Sequence, residues 1–151
     1  MPLYAEPGWG AMPDEADARQ HGRWQTTGGR AMRWFAKKRQ DTWDEPIEWP
    51  LGDIEAAARI RAICDAAASA ASAAGSARAD KRESARYERA AKVAMEIAMK
   101  ISDGLMRDDA VYRIVDLCMK ANDVKTAQIL FRAIHAGWIR ETAQRDHPAL
   151  A

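Results

Sequence analysis

The helix breakers of this chain are concentrated at one end, and that asymmetry constrains its fold more than any other feature. Up to and including Gly52 lie five of the six tryptophans, five of the six prolines and six of the nine glycines. Beyond Gly52 come long periodic stretches with few interruptions. Proline removes a backbone donor and glycine adds backbone freedom, so the first part is expected to be irregular and the second helical.

Four helical segments are expected after the division. The first opens with Asp53 as N-cap and runs through an alanine-rich stretch to about Ala74, where Gly75 is a stop. Ala57, Ile60, Cys64, Ala67, Ala71 and Ala74 share one face of it at about 100° per residue. Small side chains on that face let a neighbouring helix approach closely. Gly75-Ser76, with Ser69 and Ser72 nearby, leaves a flexible stretch as the alternative. The second segment runs from about Asp80 to Ser102, with Tyr87, Ala90, Ala91, Ala94, Ile97, Ala98 and Ile101 as its apolar arc. Arg78, Arg82, Arg86, Arg89, Lys92 and Lys100 lie roughly opposite, and Gly104 is its stop.

The third segment starts at Asp108 or Asp109 and ends near Ala121, with the stripe Val111, Ile114, Val115, Leu117 and Cys118. The fourth follows Asn122-Asp123 and carries Ala127, Leu130, Phe131, Ile134 and Trp138. So short a connection predicts an antiparallel helical hairpin. Ile129, Ile139, Tyr112 and Met119 fall off these stripes; they widen the core or mark a surface for another subunit. The expected fold is all-α, a four-helix bundle-like domain of two helical hairpins over 53–147. An irregular Trp-rich arm over 1–52 precedes it and a tail over 148–151 follows. Its core centres on Ile60, Ile97, Ile101, Ile114, Leu117, Leu130, Phe131, Ile134 and Trp138.

Ala127, Leu130-Phe131 and Gly137, within the stretch Leu117 to Gly137, are spaced as in tetratricopeptide or pentatricopeptide repeats. The run from Leu105 to Trp138 resembles one such helical hairpin. It has no second copy, and stacked repeats need neighbours to bury their faces, so the resemblance implies a local hairpin and not a solenoid.

No constellation of residues points to catalysis or to a metal. Metal ligands need compatible spacing such as Cys-x-x-Cys or His-x-x-x-His, and neither occurs around His21, His135 or His147. His135, between Ile134 and Ala136, reads as a partly buried structural residue. Cys64 and Cys118 sit on apolar stripes and are expected as free, inert thiols. The carboxylate pairs Asp14-Glu15 and Asp44-Glu45 read as solvated loops, and Asp108-Asp109 as a helix cap. Gly28-Gly29 lacks the Gly-Lys-Ser/Thr context of a phosphate loop. No cofactor, metal or small-molecule substrate is expected.

Net charge is +1, so no chain-wide field drives binding to nucleic acid or membranes. The first residues, Met1-Pro2-Leu3-Tyr4-Ala5-Glu6-Pro7, have neither the basic nor the apolar region of a signal peptide. No stretch approaches the roughly 18 apolar residues of a membrane span. A cytoplasmic location is therefore expected.

One segment stands apart. Arg19 to Arg39 holds seven positive charges and no acid, interleaved with Trp24, Trp34 and Phe35. Residues 30–41 can form a short basic helix with Met32, Phe35 and Ala36 on one side. Such a pattern suits three roles: tryptophans 24, 34, 43 and 49 anchoring the arm on the helical part, a contact with a protein partner, or phosphates and bases held by cations and rings. The expected partner-binding residues are Arg30, Arg33, Trp34, Phe35, Lys37, Lys38, Arg39 and Trp43. The expected function is non-catalytic: a helical protein–protein interaction module, self-associating, that acts as an adaptor or accessory subunit. A nucleic-acid-binding accessory protein that uses 19–39 is the alternative.

Overall fold

The structure, a computed structural model, describes residues 40–151. Their regular structure is helical throughout, with no strand among the described residues. Five α-helices follow in order: α1 (Asp53–Ala74), α2 (Lys81–Ala98), α3 (Gly104–Lys120), α4 (Val124–Arg132) and α5 (Gly137–Asp146). Short 3-10 turns cover Thr42–Asp44 and Pro148–Leu150.

The small-residue face of α1 sets the packing. Ala67, Ala70 and Ala71 are wholly buried, so α2 and α3 both pack closely on this helix. Helix α3 packs in turn on α4, and α5 closes against α3 and the C-terminal turn. Isoleucines fill the space between: Ile60, Ile63, Ile97, Ile114, Ile134 and Ile139 are all buried, together with Leu117 and Val115. Burial of one such side chain is worth about 1.5–3 kcal/mol. The stripe expected for α3 is buried, as is that of α2 except for the half-buried Ala91, and both cysteines are buried and unpaired.

Helix starts differ from the sequence expectation where an acid has a better use. Gly52 is the N-cap of α1, and Asp53 instead reaches the turn between α2 and α3. There its carboxylate accepts from the backbone N–H of Ser102 and of Asp103 and from the Ser102 hydroxyl, at 3.0, 2.8 and 2.7 Å. Gly104, expected to end α2, begins α3, and the cap is Asp103, which accepts from the Met106 N–H at 2.8 Å. Asp108 and Asp109 therefore lie inside α3, and Asp108 is 3% exposed.

That buried carboxylate also explains why the expected fourth helix is two. Oδ2 of Asp108 accepts from the N–H of His135 at 2.9 Å and of Ala136 at 2.7 Å. Those two donors are drawn out of a helical ladder, and the chain breaks between Arg132 and Gly137. Helix α5 restarts in a new phase. Trp138, expected in the core, is 60% exposed, and Ile139, expected off the stripe, is 2% exposed. His135, expected to be partly buried, is exposed.

Packing places residues 40–52 with the helices, since Gln40–Ala151 forms one compact unit. The breakers put that division at Gly52. The Arg86 guanidinium lies 5.5 Å above the Trp43 ring and donates to Asp41 at 2.6 Å. Arg59 donates to the Thr42 carbonyl and to Glu45, each at 2.9 Å. The C-terminal residues are likewise held, with Leu150 buried at the end of the chain.

Candidate functional site

Along α2 and into its C-cap, Tyr87, Ala91, Met95 and Met99 recur every four positions. This row drifts slowly off the core arc, so its last members reach the surface. Helices α2 and α4 both lean on α3 but pack little on one another. The gap between them is an open groove of about 430 Å³. Ile114 of α3 forms its floor, Thr126 and Leu130 of α4 its far wall, and Glu88, Lys92 and Glu96 its rim. Met99 at its end is 67% exposed, and Ile129 beside Leu130 is 58% exposed. Unbranched methionines repack around differently shaped partners, which suits a docking surface more than a fixed ligand site.

The polar groups inside the groove, from Tyr87, Asp123 and Thr126, are spent on one another. The Tyr87 hydroxyl donates to Asp123 Oδ2 at 3.0 Å, and Asp123 Oδ1 accepts from the Thr126 N–H at 3.2 Å. Burial, with Cys118 and Asp123 alongside, drives the Tyr87 phenol well above its ordinary range. Burial also pushes the Asp123 carboxyl up, but hydrogen bonds from Thr126 and Tyr87 outweigh it, and the net shift is downward. At neutral pH the pair is a protonated phenol donating to a carboxylate.

A second, smaller cleft of about 190 Å³ is lined by Cys64, Asp65, Tyr112, Arg113, Asp116, Leu117 and Lys120. Its Asp116 holds His147 Nε2 and Lys120 Nζ, each at 3.0 Å, and Tyr112 donates to Asp146 at 2.5 Å. Burial pushes the Cys64 thiol up to about 12 and the Cys118 thiol up to about 11, away from thiolate chemistry. Among the described residues no group of three or more His, Cys, Asp or Glu is placed to hold a metal ion. No helix among them is long and apolar enough to cross a membrane.

Of the residues that sequence reasoning put in a partner site, Arg30, Arg33, Trp34, Phe35, Lys37, Lys38 and Arg39 lie outside the described residues, as do His21 and Asp14-Glu15. Trp43 is 4% exposed and belongs to the core, because the turn of Thr42–Asp44 tucks it under Arg86. Asp44 and Glu45 are not free loop acids: they pair with Arg89 and Arg59. The basic face of α2 is correspondingly used in part, since Arg86 and Arg89 hold residues 41–44. Sequence reasoning missed Met95 and Met99, although their four-residue spacing from Tyr87 and Ala91 is a readable signal.

Comparison of the chain with protein-family models, with curated proteins and with solved structures found no match.

Proposed function

We propose that this protein is a non-catalytic helical interaction module, an adaptor or accessory subunit that docks a protein partner. In this reading its helices form a bundle-like scaffold of two hairpins, α1 with α2 and α3 with α4. The methionine-lined groove carries the proposal: it is apolar, open along one side, and its internal polar groups are already paired, so it offers area without a reaction centre. Self-association is part of the same reading, with the exposed Ile129 of α4 as a contact.

A photo-crosslinking residue at Met99 of the full-length chain, expressed in its native cells, should capture one defined protein. The same residue at Ala66, exposed on α1 and outside the groove, should not. Identical products from both positions, or none from Met99, would count against docking at the groove.

The basic aromatic run of 19–39 supports a second reading, a nucleic-acid-binding accessory protein. It requires affinity that falls steeply with salt and is abolished by Arg33→Glu with Lys38→Glu. Unchanged affinity in that double variant would remove it.

A further inference from the structure

Resting on the docking reading above, we propose that the groove takes an amphipathic helix whose polar flanks carry lysine or arginine. Shape gives the first half of the argument. From Tyr87 to the C-cap Met99 the wall follows α2 over 13 residues, about 18 Å at about 1.5 Å rise per residue, or roughly three turns of a partner lying alongside. Such a partner anchors through side chains at i, i+3 or i+4, and i+7. An added strand would have no edge to pair with, because no strand exists among the described residues.

Charge gives the second half. Among the residues that line the groove, Glu88, Glu96 and Asp123 are acidic and Lys92 alone is basic. Glu88 and Glu96 are exposed and stand two turns apart on the same side of α2. A lysine- or arginine-flanked helix meets three acids and one like charge, whereas a glutamate-flanked helix finds one cation and three like charges. Lys100 and Lys125 stand outside the lining.

Two synthetic helices of about 14 residues test this, with identical leucine faces and either lysine or glutamate on the polar face. Binding to the full-length chain is read by fluorescence anisotropy. The lysine helix should bind about tenfold or more tightly than the glutamate helix at about 0.1 M salt, and the gap should narrow toward 1 M. Met99→Asp, at a position 67% exposed and so compatible with folding, should weaken the lysine helix about tenfold or more. Glu88→Lys with Glu96→Lys should reverse the preference. Equal affinity for the two helices, with Met99→Asp still disruptive, overturns the charge preference while docking at the groove stands. Failure of the lysine helix to bind, or binding indifferent to Met99→Asp, overturns the inference outright, and docking is then judged by the Met99 crosslink alone.

Discussion

The Tyr87 hydroxyl donates to Asp123 at 3.0 Å across 36 residues of chain, tying the middle of α2 to the turn between α3 and α4. Asp123 does three things at that turn. Its N–H closes the end of α3 on the Cys118 carbonyl at 2.9 Å, its Oδ1 caps α4 through Thr126, and its Oδ2 receives Tyr87. Asn122 before it sits at φ 56°, and its N–H reaches the Met119 carbonyl at 3.1 Å. Together these bonds form the left-handed helix ending that glycine or asparagine adopts at least cost.

Separating those roles gives a graded prediction. Tyr87→Phe removes one hydrogen bond and should cost on the order of 1 kcal/mol. Asp123→Ala removes the same bond and the helix cap, and should cost about 2 kcal/mol or more. Urea unfolding of the full-length chain reads both. Equal losses would mean that the cap contributes nothing beyond the phenol bond.

Acid should weaken the fold through two carboxylates. Hydrogen bonds from Ser102 and Asp103 hold the Asp53 carboxyl below its ordinary 3.8, and Asp123 is also held below 3.8 despite its burial. Above 3.8 both are ionised whether the chain is folded or not, and their full contribution is present. As pH falls below 3.8 the unfolded chain takes up protons first; the contribution shrinks and is gone once the folded carboxyls are protonated as well. Asp53→Asn with Asp123→Asn should therefore lower stability at neutral pH and flatten its decline below about pH 4. An unchanged acid slope would show that other groups set it.

Gly75 marks a close approach of two backbones. A Cβ there would lie 2.6 Å from the Lys120 carbonyl oxygen and 2.9 Å from the Ala121 carbonyl carbon, neither of which is a flexible tip. Its φ of −80° is ordinary, so the requirement is space and not conformation. Gly75→Ala should cost about 1–3 kcal/mol, as overpacking does. Gly137→Ala, with nothing within 4 Å of the added atom, should be neutral or slightly stabilising. Equal effects at the two sites, measured by thermal or urea unfolding, would refute the steric account.

The sequence was most informative where the cause was local. Tyr87, Ala94 and Ile97 declared α2, and Val111, Ile114 and Val115 declared α3, because a helix buries side chains at three- and four-residue intervals and nothing distant has to be known. The start of α2 near Asp80 was likewise readable, and Asp80 caps it by accepting from the Arg82 N–H at 2.9 Å. Where the sequence fell short, the partner lay far along the chain: nothing near Asp53 announces Ser102, and nothing near Trp43, expected either in a partner site or as an anchor on the helices, announces Arg86. The groove was hidden for a different reason: it is a gap, left because α2 and α4 meet on α3 and not on each other. Met95 and Met99 were visible as an edge of the α2 arc, but which neighbour leaves that edge uncovered is a tertiary fact.

Asp108 is the residue whose removal should change the fold most. It shares the stripe of Val111 and Val115, and an acid on a core stripe is costly unless it is hydrogen-bonded. Here Oδ2 collects the N–H groups of His135 and Ala136, while Oδ1 is buried with no hydrogen-bond partner. Asp108→Ala leaves those two donors without their acceptor and should cost about 2–4 kcal/mol. Asp108→Asn keeps an acceptor oxygen for the same two donors and should lose less. The readouts are urea unfolding and amide hydrogen exchange at His135 and Ala136, both of which should lose protection in the alanine variant and retain most of it in the asparagine variant. If alanine costs no more than asparagine, the break between α4 and α5 is held by Ile134 packing and not by the carboxylate.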